Sequence, residues 1–269
     1  MSSRLELTGI SKTFQKGTLN EKVALDNITF TANPGDFVTV LGSNGAGKST
    51  LFNAVLGIFL TDKGRILLDG EDITFKKQHK RAGGIGCLFQ NPLRGTAPNM
   101  TIEENLALAY HRHSSYSFFA VNRRDADYFK EVLSTLGMGL ENRLKTKMGV
   151  LSGGQRQAAS LLMATVARPK LLLLDEHTAS LDPATAEKVL AITKQIVERE
   201  KITTLMITHD MSYALNAGNR TIAMDGGRIV FDISGERREA MTPDDLIKAF
   251  RENSVNSLDD RTVLTKKPL

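Results

Sequence analysis

Three short stretches hold residue types that could do chemistry together. Gly42-Ser43-Asn44-Gly45-Ala46-Gly47-Lys48-Ser49 fits G-x-x-x-x-G-K-[ST], the pattern of a phosphate-cradling loop between a strand and a helix. Its glycines let successive backbone N–H groups turn inward as an anion nest, and the helix N-terminus adds its positive dipole end. Lys48 supplies a full charge for the β- and γ-phosphates, and Ser49 a hydroxyl for Mg²⁺. Leu171-Leu172-Leu173-Leu174-Asp175-Glu176 ends an apolar segment in two carboxylates. At the carboxyl end of a strand, where α/β sheets receive ligands, Asp175 would hold Mg²⁺ and Glu176 would orient and polarise an attacking water. Ser152-Gly153-Gly154-Gln155 opens a second helix with exposed amides. It is either a plain cap or a second phosphate-binding helix end. Two nests in one small chain reach one phosphate most simply when two chains pair head to tail, each completing the other's site.

The elements that must position these residues are legible as patterns. Alternation predicts strands over Arg4 to Ile10 and, less cleanly, Val23 to Thr31. Asn33-Pro34-Gly35-Asp36 is a turn, and Phe37 to Leu41, Arg65 to Leu68 and Ile85 to Phe89 read as strands, with helical character over Thr50 to Leu56. From Thr101 to about Leu144 the pattern is helical, with Ile102, Leu106 and Ala109 on one face and Phe129, Val132, Leu133 and Leu136 on another. A helix then runs from Ser152 to Ala167, where Arg168-Pro169 stops it. Leu171 to Leu174 is too apolar for an edge and reads as a central strand covered on both faces. Asp182 caps a helix with Pro183 at its first position, running to Glu200. Thr203 to Thr208 is a strand, Met211 to Ala217 a short helix, and Thr221 to Phe231 a hairpin around Asp225-Gly226-Gly227. Thr242 caps a last helix to about Arg251, and the tail from Ser254 is polar. Strands alternating with helices predict an α/β fold with a mainly parallel sheet, and the helical middle reads as an inserted subdomain.

Composition removes other classes. Of 269 residues, 41% are hydrophobic and 24% charged, ordinary globular usage. The lone cysteine, Cys87, rules out an intrachain disulfide and fits a reducing compartment. Met1 to Leu7 lacks the apolar core of a signal peptide, and no stretch approaches the roughly 20 apolar residues of a membrane span. The net charge of +5 is scattered, without a nucleic-acid-binding motif, so no nucleic-acid partner is expected. His79, His111 and His113 show no metal-ligand spacing.

The ordered set of motifs over about Leu5 to Phe231 resembles the ATP-binding-cassette ATPases. The resemblance implies a P-loop NTPase with an antiparallel N-terminal β-subdomain and an inserted α-helical subdomain. It places an ATPase domain over 4–250, with 4–90 and 168–232 as core, 91–167 as helical subdomain, and 251–269 as a polar tail. It assigns ATP and Mg²⁺ as cofactors. Gly42, Ser43, Asn44, Gly45, Ala46, Gly47, Lys48, Ser49 and Thr50 would bind the nucleotide, with Phe14 stacked on adenine. Ser49, Gln90 and Asp175 would hold the metal, and Glu176, His209 and Gln90 would act in hydrolysis. Ser152, Gly153, Gly154 and Gln155 would serve the partner's site, and Ser180 and Asp182 would cross the dimer interface. The family commonly has proline after the catalytic glutamate; here it is His177, either titrating near the γ-phosphate or a structural turn residue. Glu176 to Pro183, with Gly95 to Thr101, is similar to the tryptophan/tyrosine uptake group of importers. The expected partners are a second copy or a paralogous ATPase subunit, transmembrane permease subunits and an extracytoplasmic solute-binding protein, at the cytoplasmic face of the membrane. The alternative is a soluble cassette ATPase such as an iron–sulfur assembly scaffold. Asn91 to Met100 is a loop after Gln90, whose Leu93 and Met100 either tuck into the core or line a groove for a permease helix.

Overall fold

The computed structural model describes residues 3–110 and 123–254. Three strands come first, β1 (Leu5–Phe14), β2 (Lys22–Ala32) and β3 (Phe37–Gly42), then α1 (Lys48–Leu56), β4 (Lys63–Leu68), β5 (Glu71–Asp72), α2 (Gln78–Arg81) and β6 (Ile85–Leu88). Helices α3 (Ile102–Tyr110), α4 (Arg123–Ser134) and α5 (Gly153–Thr165) follow. The chain returns through β7 (Leu171–Asp175), α6 (Pro183–Glu200), β8 (Thr203–Ile207), α7 (Met211–Ala217), β9 (Arg220–Asp225) and β10 (Arg228–Ser234), and closes with α8 (Gly235–Glu239) and α9 (Pro243–Asn253). His111, His113 and the tail beyond Ser254 lie outside the described residues.

Two sheets result. One is antiparallel, in the order β2-β1-β4-β5. The other runs β10-β9-β3-β8-β7-β6, parallel except for β10, which pairs back on β9 as the expected hairpin. Because β3, β6, β7 and β8 point the same way, their carboxyl ends share one edge, where α/β sheets present their ligand-binding loops.

The four leucines of β7 are all fully buried, and successive ones serve different cores, as period-2 geometry requires. Leu171 and Leu173 pack with α1 and the antiparallel sheet, while Leu172 and Leu174 face the core of α3, α4, α5 and α6. In β8 the same split places Leu205 and Ile207 on the first side and Met206 on the second. Burying each such side chain contributes about 1.5–3 kcal/mol, so a one-residue slip of β7 would cost both cores.

Local signals fix the helix starts. Asp182 accepts from the Thr185 amide at 3.1 Å with Pro183 in the first turn, and Thr242 and Asp245 form a reciprocal capping box. Alternation falls short of the observed reach of β1, which runs on to Phe14 through register shifts against β2. The short elements β5, α2 and α8 have no apolar period in the sequence. Each short helix is instead held by one buried arginine. Arg81 donates to the carbonyls of Ala54 and Val55 at the end of α1, and Arg238 to those of Ala214 and Leu215 at the end of α7. Positive charge at a helix C-terminus is favourable.

Candidate nucleotide site

β3 ends at Gly42 and α1 begins at Lys48, so the glycine-rich octapeptide is the strand-to-helix loop its pattern requires. Two glycines in it are obligatory. At Gly42, φ is 146° and a Cβ would stand 2.3 Å from the Met224 carbonyl oxygen; at Gly47, φ is 102° and a Cβ would stand 2.6 Å from that of Ala24. Lys48 is 6% exposed, and its Nζ donates to the carbonyls of Gly42 (2.7 Å) and Ser43 (2.8 Å), closing the loop on itself. Burial pulls the ammonium below its ordinary pKa, opposed by the charges of Glu176 and Asp175. Asn44, Gly45 and Ser49 are exposed, Ser43, Ala46, Gly47 and Lys48 buried, and Thr50 half-buried.

Asp175 closes β7 at the edge that also holds Ser49 and Lys48. Burial first, then the neighbouring charge of Glu176, raises its pKa. Glu176 occupies the left-handed region at φ 47°, a strained conformation for a non-glycine residue. Its Oε1 lies 2.5 Å from His209 Nε2, and its Oε2 accepts from Gln90 Nε2 at 3.2 Å. The hydrogen bond from His209 leads in holding the Glu176 pKa below its usual value. Thus Gln90 after β6, Asp175 and Glu176 at the end of β7, and His209 after β8 meet at one edge beside Lys48. Among the described residues, His209 Nδ1 is buried without a partner. Among the described residues no three of His, Cys, Asp and Glu cluster as a metal site. The available donors, Asp175, the Ser49 hydroxyl and the Gln90 amide, fit a cation such as Mg²⁺ that takes one carboxylate and fills its shell from phosphates and water.

The other expected residues lie further out. Ser152 caps α5, its Oγ accepting from the Gln155 amide at 3.3 Å while the Gln155 side chain reaches back to the Ser152 amide. Gly154 is buried against α6, where a Cβ would meet Thr185 Cγ2 at 2.1 Å, and Gly153 is exposed. Ser180 and Asp182 are exposed on the loop between β7 and α6. Phe14 is 37% exposed and packs edge-on against Phe59 at 5.2 Å.

The structure bears on two pairs of alternatives left open by the sequence, and for His177 it favours the structural one. His177 does not face the phosphate edge. It is 2% exposed, its Nε2 lies 3.1 Å from the Thr193 hydroxyl in α6, and burial pushes its pKa down to about 4. Leu93 is 42% exposed rather than tucked into the core, and Met100 is half-buried. A cleft of about 440 Å³ opens beside them, lined by Phe89, Arg94 and Ala97 on one side and Leu108, Ala109 and Met163 on the other. Its walls come from β6, the segment Arg94 to Ala97, α3 and α5, parts of which are far apart in sequence, so no local pattern marks it. Thr193 was likewise missed, although it interrupts the apolar face of α6 at a core position.

A family model described as ABC transporter matches residues 25–179. The chain is 37% identical over 246 residues to a tyrosine transport ATP-binding protein of Clostridioides difficile, covering 91% of this chain and 98% of that one. It is 33% identical over 233 residues to a methionine import ATP-binding protein of Corynebacterium efficiens, covering 85% of this chain but 62% of the relative's length. Among solved structures, the dimeric post-hydrolysis ATP-binding cassette MJ0796 with ADP and Pi superposes with a TM-score of 0.74 at 26% identity, covering 86% of this chain and 98% of that one. The ADP conformation of the cassette MJ1267 gives 0.77 at 26% identity, covering 93% and 99%. With the family model spanning more than half the residues and the fold matching cassettes caught around hydrolysis, the chain belongs to the ABC transporter family as an ATP-hydrolysing cassette.

Proposed function

We propose that the chain is the ATP-hydrolysing subunit of an importer for a small solute of the amino-acid class, acting as a dimer beneath separate permease subunits. The convergence of Glu176, His209 and Gln90 beside the Lys48 loop is the observation that carries it. The similarity over nearly the full length of a tyrosine transport subunit supports the solute class and favours transport over an iron–sulfur scaffold. The dimeric cassette relative supports pairing. Its working location in this reading is the cytoplasmic face of the membrane, which the similarity to a tyrosine transport ATP-binding protein supports. A solute-binding protein would deliver the solute on the other side.

In this reading the loop from Gly42 to Thr50 grips the phosphates through its amides, and Lys48 exchanges its two carbonyl partners for phosphate oxygens. Phe14 stacks on adenine. Ser49, Asp175 and Gln90 would hold Mg²⁺, which would supply charge neutralisation on the phosphates. Glu176 turns one carboxylate oxygen to the attacking water and receives its proton, while His209 holds the other oxygen and lies toward the γ-phosphate. Gln90 senses the arrangement and passes it to the loop that follows. Ser152, Gly153, Gly154 and Gln155 at the start of α5 complete the partner's site, with Ser180 and Asp182 at the seam. The apolar cleft beside Gln90 receives a short permease helix, a groove that uses Leu108 and Met163 as anchors. Within the chain, 4–250 is the ATPase domain and 91–167 its helical part.

Glu176→Gln tests the reading directly, because it keeps the shape and removes the proton acceptor. ATP binding should persist, the dimer should accumulate closed, and turnover should fall on the order of 10²–10⁴-fold. Parental turnover in this variant would remove Glu176 from its role.

A further inference from the structure

His177 follows the catalytic carboxylate directly, yet its side chain leaves the nucleotide edge and enters the core. The hydrogen-bond roles there are fixed. The Thr193 hydroxyl donates its single proton to the Val189 carbonyl one turn back, at 2.8 Å. The 3.1 Å contact between His177 Nε2 and Thr193 Oγ1 therefore has the imidazole as donor and the hydroxyl as acceptor. The ring is neutral, protonated on Nε2, and tied to the third turn of α6.

α6 is a firm frame for such a tie. Its first turn is wedged against α5, where Gly154 meets Thr185 with no room for a Cβ. Its Lys188 ammonium donates to the Gly137 carbonyl at 2.9 Å. One inner face is buried through Val189, Thr193, Ile196 and Val197.

Glu176 needs a restraint. Its left-handed φ of 47° is a conformation an L-residue leaves unless its surroundings hold it. On one side its amide donates to the Ile207 carbonyl at 3.1 Å. On the other side the next side chain along is the one bonded into α6.

We propose that His177 is a positioning residue for hydrolysis: by bonding to Thr193 it pins the turn after β7 to α6 and holds the Glu176 carboxylate against His209 and Gln90. The proposal rests on the reading of Glu176 as the group that polarises water. It involves no proton transfer at His177, only the persistence of one N–H···O bond.

The test is a double-mutant cycle on the full-length chain. ATP turnover at saturation, KM for ATP, equilibrium ATP binding and the melting temperature are measured for His177→Leu, Thr193→Val and the pair. Thr193→Val changes almost no volume, so it keeps the test alive if His177→Leu folds poorly. Each single variant should lose about 10- to 100-fold in kcat, the scale of a small misplacement of a reacting group, while KM and ATP binding stay within about twofold of the parent. The pair should be no slower than the worse single variant, because both remove the same bond. His177→Gln and Thr193→Ser, which restore a donor and an acceptor, should recover most of the loss. Parental kcat in Thr193→Val, losses that multiply in the pair, or slower turnover matched by weaker ATP binding would each overturn the proposal. Glu176→Gln run alongside separates the two readings. If it is inactive while Thr193→Val is normal, only the anchor fails; if it turns over like the parent, the role of Glu176 fails and the anchor with it.

Discussion

At the residue scale, burying an imidazole makes stability depend on pH. The His177 pKa falls from 6.5 to about 4 in the folded chain because burial disfavours the cation. Between those values the unfolded chain binds more protons than the folded one, so stability rises with pH across the window and is complete above the unfolded value. Full loss, below the folded value, is on the order of 3 kcal/mol. Chemical denaturation in the absence of nucleotide should show the parent weakening from pH 7 to 4 more steeply than His177→Leu. Identical slopes would mean that His177 is solvated. The neighbouring carboxylates show how one edge sets two roles. Asp175 is pushed upward by burial and by the charge of Glu176, whereas Glu176 is pulled downward by the hydrogen bond from His209, which favours its ionised form.

At the element scale, the proposed permease contact at the cleft after Gln90 rests on packing rather than on loop chemistry alone. Asn91 to Met100 contains two prolines and a glycine, and Asn91 caps the 3-10 turn Pro92–Gly95 by accepting from the Leu93 amide. That turn presents Leu93 to solvent and Arg94 over the Phe89 ring at 5.7 Å, while the opposite wall of the cleft is supplied by α3 and α5. Burying one such anchor contributes about 1.5–3 kcal/mol. Leu108→Asp and Met163→Asp should therefore leave ATP binding and the melting temperature near parental values while abolishing co-purification with the permease. Leu93→Asp should assemble normally. Loss of assembly in Leu93→Asp with normal assembly in the other two would return the contact to the loop.

At the scale of the whole molecule, two helix N-termini with separate jobs raise the question of shared sites. α1 opens on the Lys48 loop, and α5 opens on Ser152 from the helical side of the molecule. Lys48→Ala should lose ATP binding, whereas Ser152→Arg should keep it and fail to dimerise or hydrolyse. Mixing the two inactive variants should recover part of the activity, since a mixed dimer retains one site with both groups intact. If mixed dimers form without activity and a cross-link between Ser43 of one chain and Ser180 of the other also fails, the shared-site reading falls.

The residues alone determined the phosphate loop, the buried strand ending in Asp175 and Glu176, the caps at Asp182 and Thr242 and the final hairpin. Each of these is local: a backbone conformation only glycine adopts, a run of apolar residues, or a side chain bonding an amide three residues on. Tertiary structure decided the rest. Gln90 and Glu176 lie 86 residues apart and meet because β6 pairs beside β7. The direction of His177 depends on where α6 packs, and the polar segments α2 and α8 are held by arginines whose acceptors are carbonyls of other helices. The cleft exists only where β6, α3 and α5 come together. Strand order and helix packing are set by summed burial over distant segments, and no window of neighbouring residues contains that sum.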